Sequence, residues 1–259
     1  MKNTALITGA SSGIGRELAW VHAEHGGDLV LIARRGEVLE ELKQQLVEKH
    51  QTDVLCIAID LNEPGAVRQV YDQVEAAGIE VDILINNAGF GNHGPFHQHD
   101  WKTDGAMIHL NVSVLSEMTH RFLQGMLERQ HGRILNVGST AGFLPGPMMA
   151  VYYASKAYVL SFSQAIAEEV SELGVTVTAL CPGPVETEFF HRAHAKHVGM
   201  FKKGSAATAR GVAELGYRTM KKGRLVVINE WRLWFMLNWI TPWVPRRTLL
   251  KISRWLLSS

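Results

Sequence analysis

The chain has 259 residues, 46% of them apolar and 20% charged, and a formal net charge of +1. A chain of this length can bury a sizeable core without a disulfide or metal staple. Acids and bases are interspersed, which gives no reason to expect nucleic acid as a partner, and no apolar run approaches the roughly eighteen residues of a membrane span.

Met1-Lys2-Asn3 leads straight into an apolar strand, Thr4 to Thr8, leaving no room for the apolar core of a signal peptide. Cys56 and Cys181 both sit in apolar β-like runs, so both are expected to be buried free thiols in a reducing, cytoplasmic setting. After the first strand comes Gly9-Ala-Ser11-Ser12-Gly13-Ile14-Gly15 and then a helical pattern, Arg16 to His25. Strand, glycine turn and helix in this order present free backbone N–H groups at a helix N-terminus, where a phosphate is favoured. The second strand, Asp28 to Ala33, ends in Arg34-Arg35. A dinucleotide site normally carries an acid there for the ribose 2′-hydroxyl. A guanidinium instead attracts a 2′-phosphate, which argues for NADP(H) over NAD(H).

The chain continues with a charged helix, Glu37 to His50, a strand, Asp53 to Ile59, ending at Asp60-Leu61, and a helix, Pro64 to Ala77. A fourth strand, Val81 to Ile85, runs into Asn86-Asn87-Ala88-Gly89. Next come a helix, Met107 to Arg129, a strand, Arg133 to Val137, that delivers Ser139, a helix, Val151 to Leu173, a strand, Val175 to Cys181, and a last strand, Arg224 to Ile228. Strands that are nearly continuous apolar runs alternating with helices indicate an α/β fold whose parallel sheet is covered on both faces. Ligands of such sheets bind beyond the carboxyl ends of the strands. Tyr152 and Lys156, four apart on one helix, share a face and form a candidate acid/base pair with Ser139.

These residues, Thr8-Gly9-x-x-x-Gly13-x-Gly15, Asp60, Asn86 to Gly89, Asn111, Ser139, Tyr152-x-x-x-Lys156 and Pro182-Gly183, resemble the short-chain dehydrogenase/reductase family in order and spacing over about residues 3 to 190. The resemblance implies a doubly wound Rossmann fold with a seven-stranded parallel sheet, and reversible hydride transfer between NADP(H) and a carbonyl or alcohol. It implies Tyr152 as general acid, Lys156 lowering the tyrosine's pKa and holding the nicotinamide ribose, Ser139 on the substrate oxygen, and Asn111 in a proton relay. Cofactor contacts would come from Gly9, Ser11, Ser12, Gly13, Ile14, Gly15, Arg34, Asp60, Leu61, Asn87, Ala88 and Gly89, and from Tyr152, Lys156, Pro182, Gly183, Val185 and Thr187. A homodimer or homotetramer is implied as well. Tyr153 is a second tyrosine that could face Lys156, although the family spacing favours Tyr152. A catalytically silent regulatory or scaffold protein of the same fold is the competing reading, and the intact Ser139, Tyr152 and Lys156 speak against it.

The expected organisation is one catalytic domain, residues 1–229, with a substrate loop at about 184–204, followed by a tryptophan-rich extension, residues 230–259. Phe143, Met148, Met149, Phe189, Phe190, Met200 and Phe201 suggest an apolar pocket wall for a lipophilic ketone or acyl-type substrate. The histidine groups 93/97/99 and 191/194/197 lie in loops without a cysteine, and no metal is expected. In the extension, Arg247, Lys251 and Arg254 would share one helix face and Leu249, Ile252 and Leu256 the other. Peripheral membrane contact, closure of the pocket and an oligomer contact all fit that pattern and stay open.

Overall fold

In a computed structural model of the chain, residues 3–186 and 207–258 are described. The strands β1 (Thr4–Thr8), β2 (Asp28–Ala33), β3 (Val54–Ala58), β4 (Ile83–Asn86), β5 (Gly132–Val137) and β6 (Val175–Leu180) join one sheet. A two-residue pair, β7 (Val185–Glu186) and β8 (Ala207–Thr208), stands apart. The edge strand β9 (Val226–Val227) completes a seven-stranded, all-parallel sheet of order β3-β2-β1-β4-β5-β6-β9. The fold is the expected doubly wound α/β sheet. Ala5, Leu6 and Ile7 of β1 and Ile83, Leu84 and Ile85 of β4 are fully buried, because helices cover both faces.

On one face α1 (Gly13–Glu24) packs along α7 (Ala209–Lys221) and against α2 (Gly36–His50). The other face receives α3 (Ala66–Ala76), α5 (Leu115–Glu128) and α6 (Ala150–Glu169), with Val70, Val74, Met118 and Phe122 in its core. The strand order reverses between β1 and β4, so the crevice beyond their carboxyl ends is the topological switch point. Asn86 and Asn136 are cross-strand partners on β4 and β5, and Asn86 Nδ2 donates to Asn136 Oδ1 (2.9 Å) and Thr119 Oγ1 (3.0 Å). Asn136 Nδ2 in turn donates to Ser163 Oγ at 2.9 Å, tying β5 to α6 under the site.

The expected helix Met107 to Arg129 is longer and interrupted: α4 (Trp101–Ile108) passes through a turn of π-helix, His109–Val114, into α5. Asn111 lies in that turn. A π-bulge inserts an extra residue per turn and re-aims the side chains it carries, which is why such turns recur at functional sites. The last segment is broken by Pro242 and Pro245 as expected. It comprises α8 (Trp231–Phe235), a π-helical turn to Ile240, a 3₁₀ turn (Thr241–Trp243) and α9 (Arg246–Ser258). In α9 the inward side chains are Leu249, Ser253, Leu256 and Leu257, whereas Ile252 is 47% exposed. The apolar face therefore sits one position away from the one expected. Cys181 is buried as expected, but Cys56 is only half-buried on β3 next to α2.

Candidate active site

The crevice holds a cavity of about 740 Å³. Its phosphate end is built by the turn between β1 and α1, where Gly9 and Gly13 take φ of +69° and +56°, a region that costs glycine little. A Cβ on Gly15 would stand 2.4 Å from Asn87 Nδ2 and 2.5 Å from the Gly9 carbonyl oxygen. The turn closes only because that position has no side chain. Asn87 braces it, with Nδ2 donating to Thr8 O (2.9 Å) and Gly9 O (3.3 Å). Thr8 Oγ1 accepts from the N–H groups of both Asn87 and Ala88 at 2.9 Å. The N-terminus of α1 has no side-chain cap and no acid in its first turn. Its free N–H groups and positive dipole end thus face the cavity, and this turn fits the pyrophosphate of a dinucleotide.

Beside it, the two arginines after β2 differ in their engagements. Arg34 Nη1 lies 3.6 Å from the Asp60 carboxylate. Arg35 Nη2 donates to Ser11 O and Ser11 Oγ at 3.3 and 3.2 Å. Both line the cavity, so two guanidiniums, one of them fastened to the glycine turn, stand where a 2′-phosphate would be read.

At the other end, Ser139 starts a 3₁₀ turn, Thr140–Phe143, and its Oγ accepts from Ala141 N at 3.1 Å. Tyr152 on α6 hydrogen-bonds Ser139, and burial pushes its phenol up to about 12 against the lowering effect of that bond. Lys156, one turn on, donates from Nζ to Val137 O at 2.8 Å and lies 5.9 Å from the Tyr152 ring. Burial brings its ammonium down to about 8. Burial thus raises the phenol and lowers the ammonium, and the Ser139 bond is what opposes the rise at Tyr152. Tyr153 also lines the cavity, but its ring stacks over Gly146 and meets the Tyr152 ring edge-on at 6.1 Å. It has no bond to Ser139 or Lys156 among the described contacts.

Asn111 Nδ2 donates to Phe90 O and Ser155 Oγ, each at 3.0 Å, and its Oδ1 accepts from Phe90 N at 3.2 Å. A Cβ on Gly89 would come within 2.8 Å of that oxygen and 3.6 Å of Lys156 Nζ, so Gly89, Asn111 and Lys156 converge.

Of the residues expected at the site, those among the described residues line the cavity, except Gly15 and Asn111, which stand behind its wall. Thr187 lies outside the described residues, as do Phe189, Phe190, Met200 and Phe201. Among the remaining pocket candidates Met149 lines the cavity, whereas Phe143 packs against Cys181, Ile228 and Leu237 and Met148 against the Tyr152 cluster. Arg35, Phe90 and Leu110 are among the further residues of the wall. Arg35 could have been found from the Arg34-Arg35 pair itself, while Phe90 and Leu110 come to the wall through tertiary packing. Among the described residues no group of three or more side chains could hold a metal. His99 is spent on a 2.9 Å contact with Asp104 and His93 on the Leu257 carbonyl, also at 2.9 Å.

Residues 3–197 match the family model described as short chain dehydrogenase. The chain belongs to the short-chain dehydrogenase family. Among curated proteins it is 35% identical over 190 residues to a very-long-chain 3-oxoacyl-CoA reductase of Homo sapiens. That match covers 71% of this chain and 60% of the relative, so it spans about three-fifths of the relative's length. Among solved structures, a short-chain dehydrogenase of Sphingobium yanoikuyae in complex with NADPH is 32% identical, with a TM-score of 0.81 and 87% of each chain covered. The bulky-bulky ketone specific alcohol dehydrogenase of Comamonas testosteroni is 27% identical, with a TM-score of 0.78 over 95% of this chain and 98% of that one.

Proposed function

We propose that this short-chain dehydrogenase is an NADP(H)-dependent oxidoreductase acting on a carbonyl or secondary alcohol, with a lipophilic ketone or acyl-type molecule as substrate. The observation that carries the reading is the convergence of Ser139, Tyr152 and Lys156 on the wall of a cavity whose other end is the uncapped glycine turn. NADP(H), when bound, supplies or accepts the hydride. The glycine turn holds the pyrophosphate, Arg34 and Arg35 the 2′-phosphate, and Asp60, Leu61, Asn87 to Gly89, Pro182, Gly183 and Val185 flank the rest.

Ser139 Oγ orients the substrate oxygen, and Tyr152 Oη donates its proton to that oxygen as negative charge develops there. A phenol pushed up to about 12 is protonated throughout the physiological range, which is the state a proton donor for carbonyl reduction requires. Lys156 supplies positive charge near the phenol. Asn111, with its amide engaged by Phe90 and Ser155, positions the wall on which Gly89 and Lys156 lie. The lining by Phe90, Leu110 and Met149 supports an apolar substrate, and the names of the reductase and bulky-ketone relatives agree with that class. Residues 1–229 act as the catalytic unit and 230–259 as an extension. A second copy of the chain pairs through the outer faces of α5 and α6, where Tyr158 is 39% exposed and bonds Ser116 Oγ at 2.9 Å.

The test is NADPH and NADH oxidation measured with carbonyl substrates of rising chain length. The proposal expects turnover with NADPH in preference to NADH and kcat/KM that grows with apolar length. NADPH binding without oxidation across the panel would favour a silent regulator, and a preference for short polar carbonyls would end the lipophilic reading.

A further inference from the structure

The extension turns its aromatic side chains outward. Ten of the seventeen exposed large apolar side chains among the described residues fall between Trp231 and Trp255. Trp231, Phe235 and Trp239, spaced by four, are 74%, 50% and 61% exposed, and Trp243 is 85% exposed. A helical face of this kind normally points to the core. Here the opposite stripe does: Leu233 and Leu237 pack against Cys181 and Ile228. In α9, Leu257 packs among Met107, Met149, Tyr152 and Tyr153, and Ser253 Oγ donates to Pro145 O at 2.8 Å. The inner stripe fastens the segment to the catalytic body and fixes which side faces out.

Charge is distributed with the same asymmetry. Residues 230–259 carry five Lys or Arg and one acid, Glu230, whereas the whole chain is +1, leaving residues 1–229 at −3. Arg247, Lys251 and Arg254 are all exposed and lie along the outer ridge of α9, flanked by exposed Leu250 and Ile252. Exposed indole rings beside arginine and lysine, with almost no acid, match the headgroup layer of an anionic bilayer, which takes up aromatic rings at its interface and attracts basic side chains. A second copy meeting this face symmetrically would set the cationic ridge against itself. Among the described residues no helix is long and apolar enough to cross a membrane, so the contact is with the surface.

We propose that α8 to α9 form a docking platform that rests the protein on an anionic lipid surface. The inner side of the platform borders the Tyr152 cluster, so docking sets the rim of the cavity at the bilayer, where an apolar substrate is dissolved. The docking itself does not depend on the proposed reaction, and its test uses no turnover.

The test is sedimentation of the full chain with phosphatidylcholine vesicles, with and without phosphatidylserine. Binding is expected to the phosphatidylserine vesicles and to weaken with salt. It should fall by about fivefold for each ridge residue neutralised in Arg247→Gln, Lys251→Gln and Arg254→Gln, and be lost in the pair Trp239→Ser with Trp243→Ser. If a variant fails to fold, by circular dichroism, the tryptophan emission of the unaltered protein decides: it should shift blue on adding these vesicles. A full chain left in the supernatant at low salt with unshifted emission would overturn the proposal. So would tryptophan variants that abolish self-association and leave vesicle binding unchanged.

Discussion

The phenol of Tyr152 is subject to two opposing effects, burial that keeps its proton on and the Ser139 hydrogen bond that loosens it. Burial prevails, and the ammonium of Lys156 is itself brought down to about 8. The two groups therefore separate in pH rather than moving together. If the lysine's charge is needed for cofactor binding and for polarising the phenol, kcat/KM for ketone reduction is level below pH 8. Above it the value declines as Nζ loses its proton, while Tyr152 stays a donor until near 12. The pH profile of kcat/KM reports groups of the free enzyme and so checks this directly. A decline centred near ~10, the ordinary value of either group, would contradict it. Ser139, Tyr152 and Lys156 are legible in the sequence because a fixed spacing on one helix and one strand end brings them together. The direction of the tyrosine's shift is not legible, because it depends on how completely α6 is covered.

At the scale of elements, α1 joins the cofactor turn to the rest of the sheet's face. His22 on its buried side contacts Tyr217 of α7 through a 3.1 Å bond between Nδ1 and the phenol, and its Nε2 donates to Asn3 O at 3.1 Å. Burial lowers its pKa from 6.5 to about 4, so the folded protein keeps the ring neutral where the unfolded chain would protonate it. The unfolded state then binds more protons between those values. The neutral ring's contribution is complete above pH 6.5 and is lost as the pH falls through about 4. Denaturant unfolding should show stability declining across that window by up to about 1.4 kcal/mol per pH unit from this group, with His22→Gln flattening the slope. An equal slope in the variant would assign the loss to other groups. Most strands and helices are legible from apolar runs to within a few residues, but α7 is not, and α4 starts at Trp101 rather than Met107. The π-turn that carries Asn111 leaves no such trace, because the apolar pattern passes through it. The rotation of α9 that exposes Ile252 is hidden for a similar reason: Ser253 faces inward only because Pro145 O is there to accept its hydroxyl.

Across the whole molecule, the reversal of strand order between β1 and β4 opens the crevice, and the glycine turn and the Ser139–Tyr152–Lys156 group occupy its two ends. Just before the extension Gly183 N donates to Asn229 Oδ1 at 2.9 Å, and within the extension Leu257 sits in the Tyr152 cluster. Sequence alone leaves the place of that extension open, since its amphipathic pattern suits several surfaces and only the fold decides which stripe is used inward. Of the two adjacent tyrosines, Tyr152 is assigned as the proton donor. NADPH-dependent ketone reduction in Tyr152→Phe and Tyr153→Phe, each checked for folding and for NADPH binding, tests this most directly. A fall in kcat of roughly 100- to 10,000-fold is expected in Tyr152→Phe, with turnover retained in Tyr153→Phe; loss of turnover in Tyr153→Phe alone would overturn the assignment.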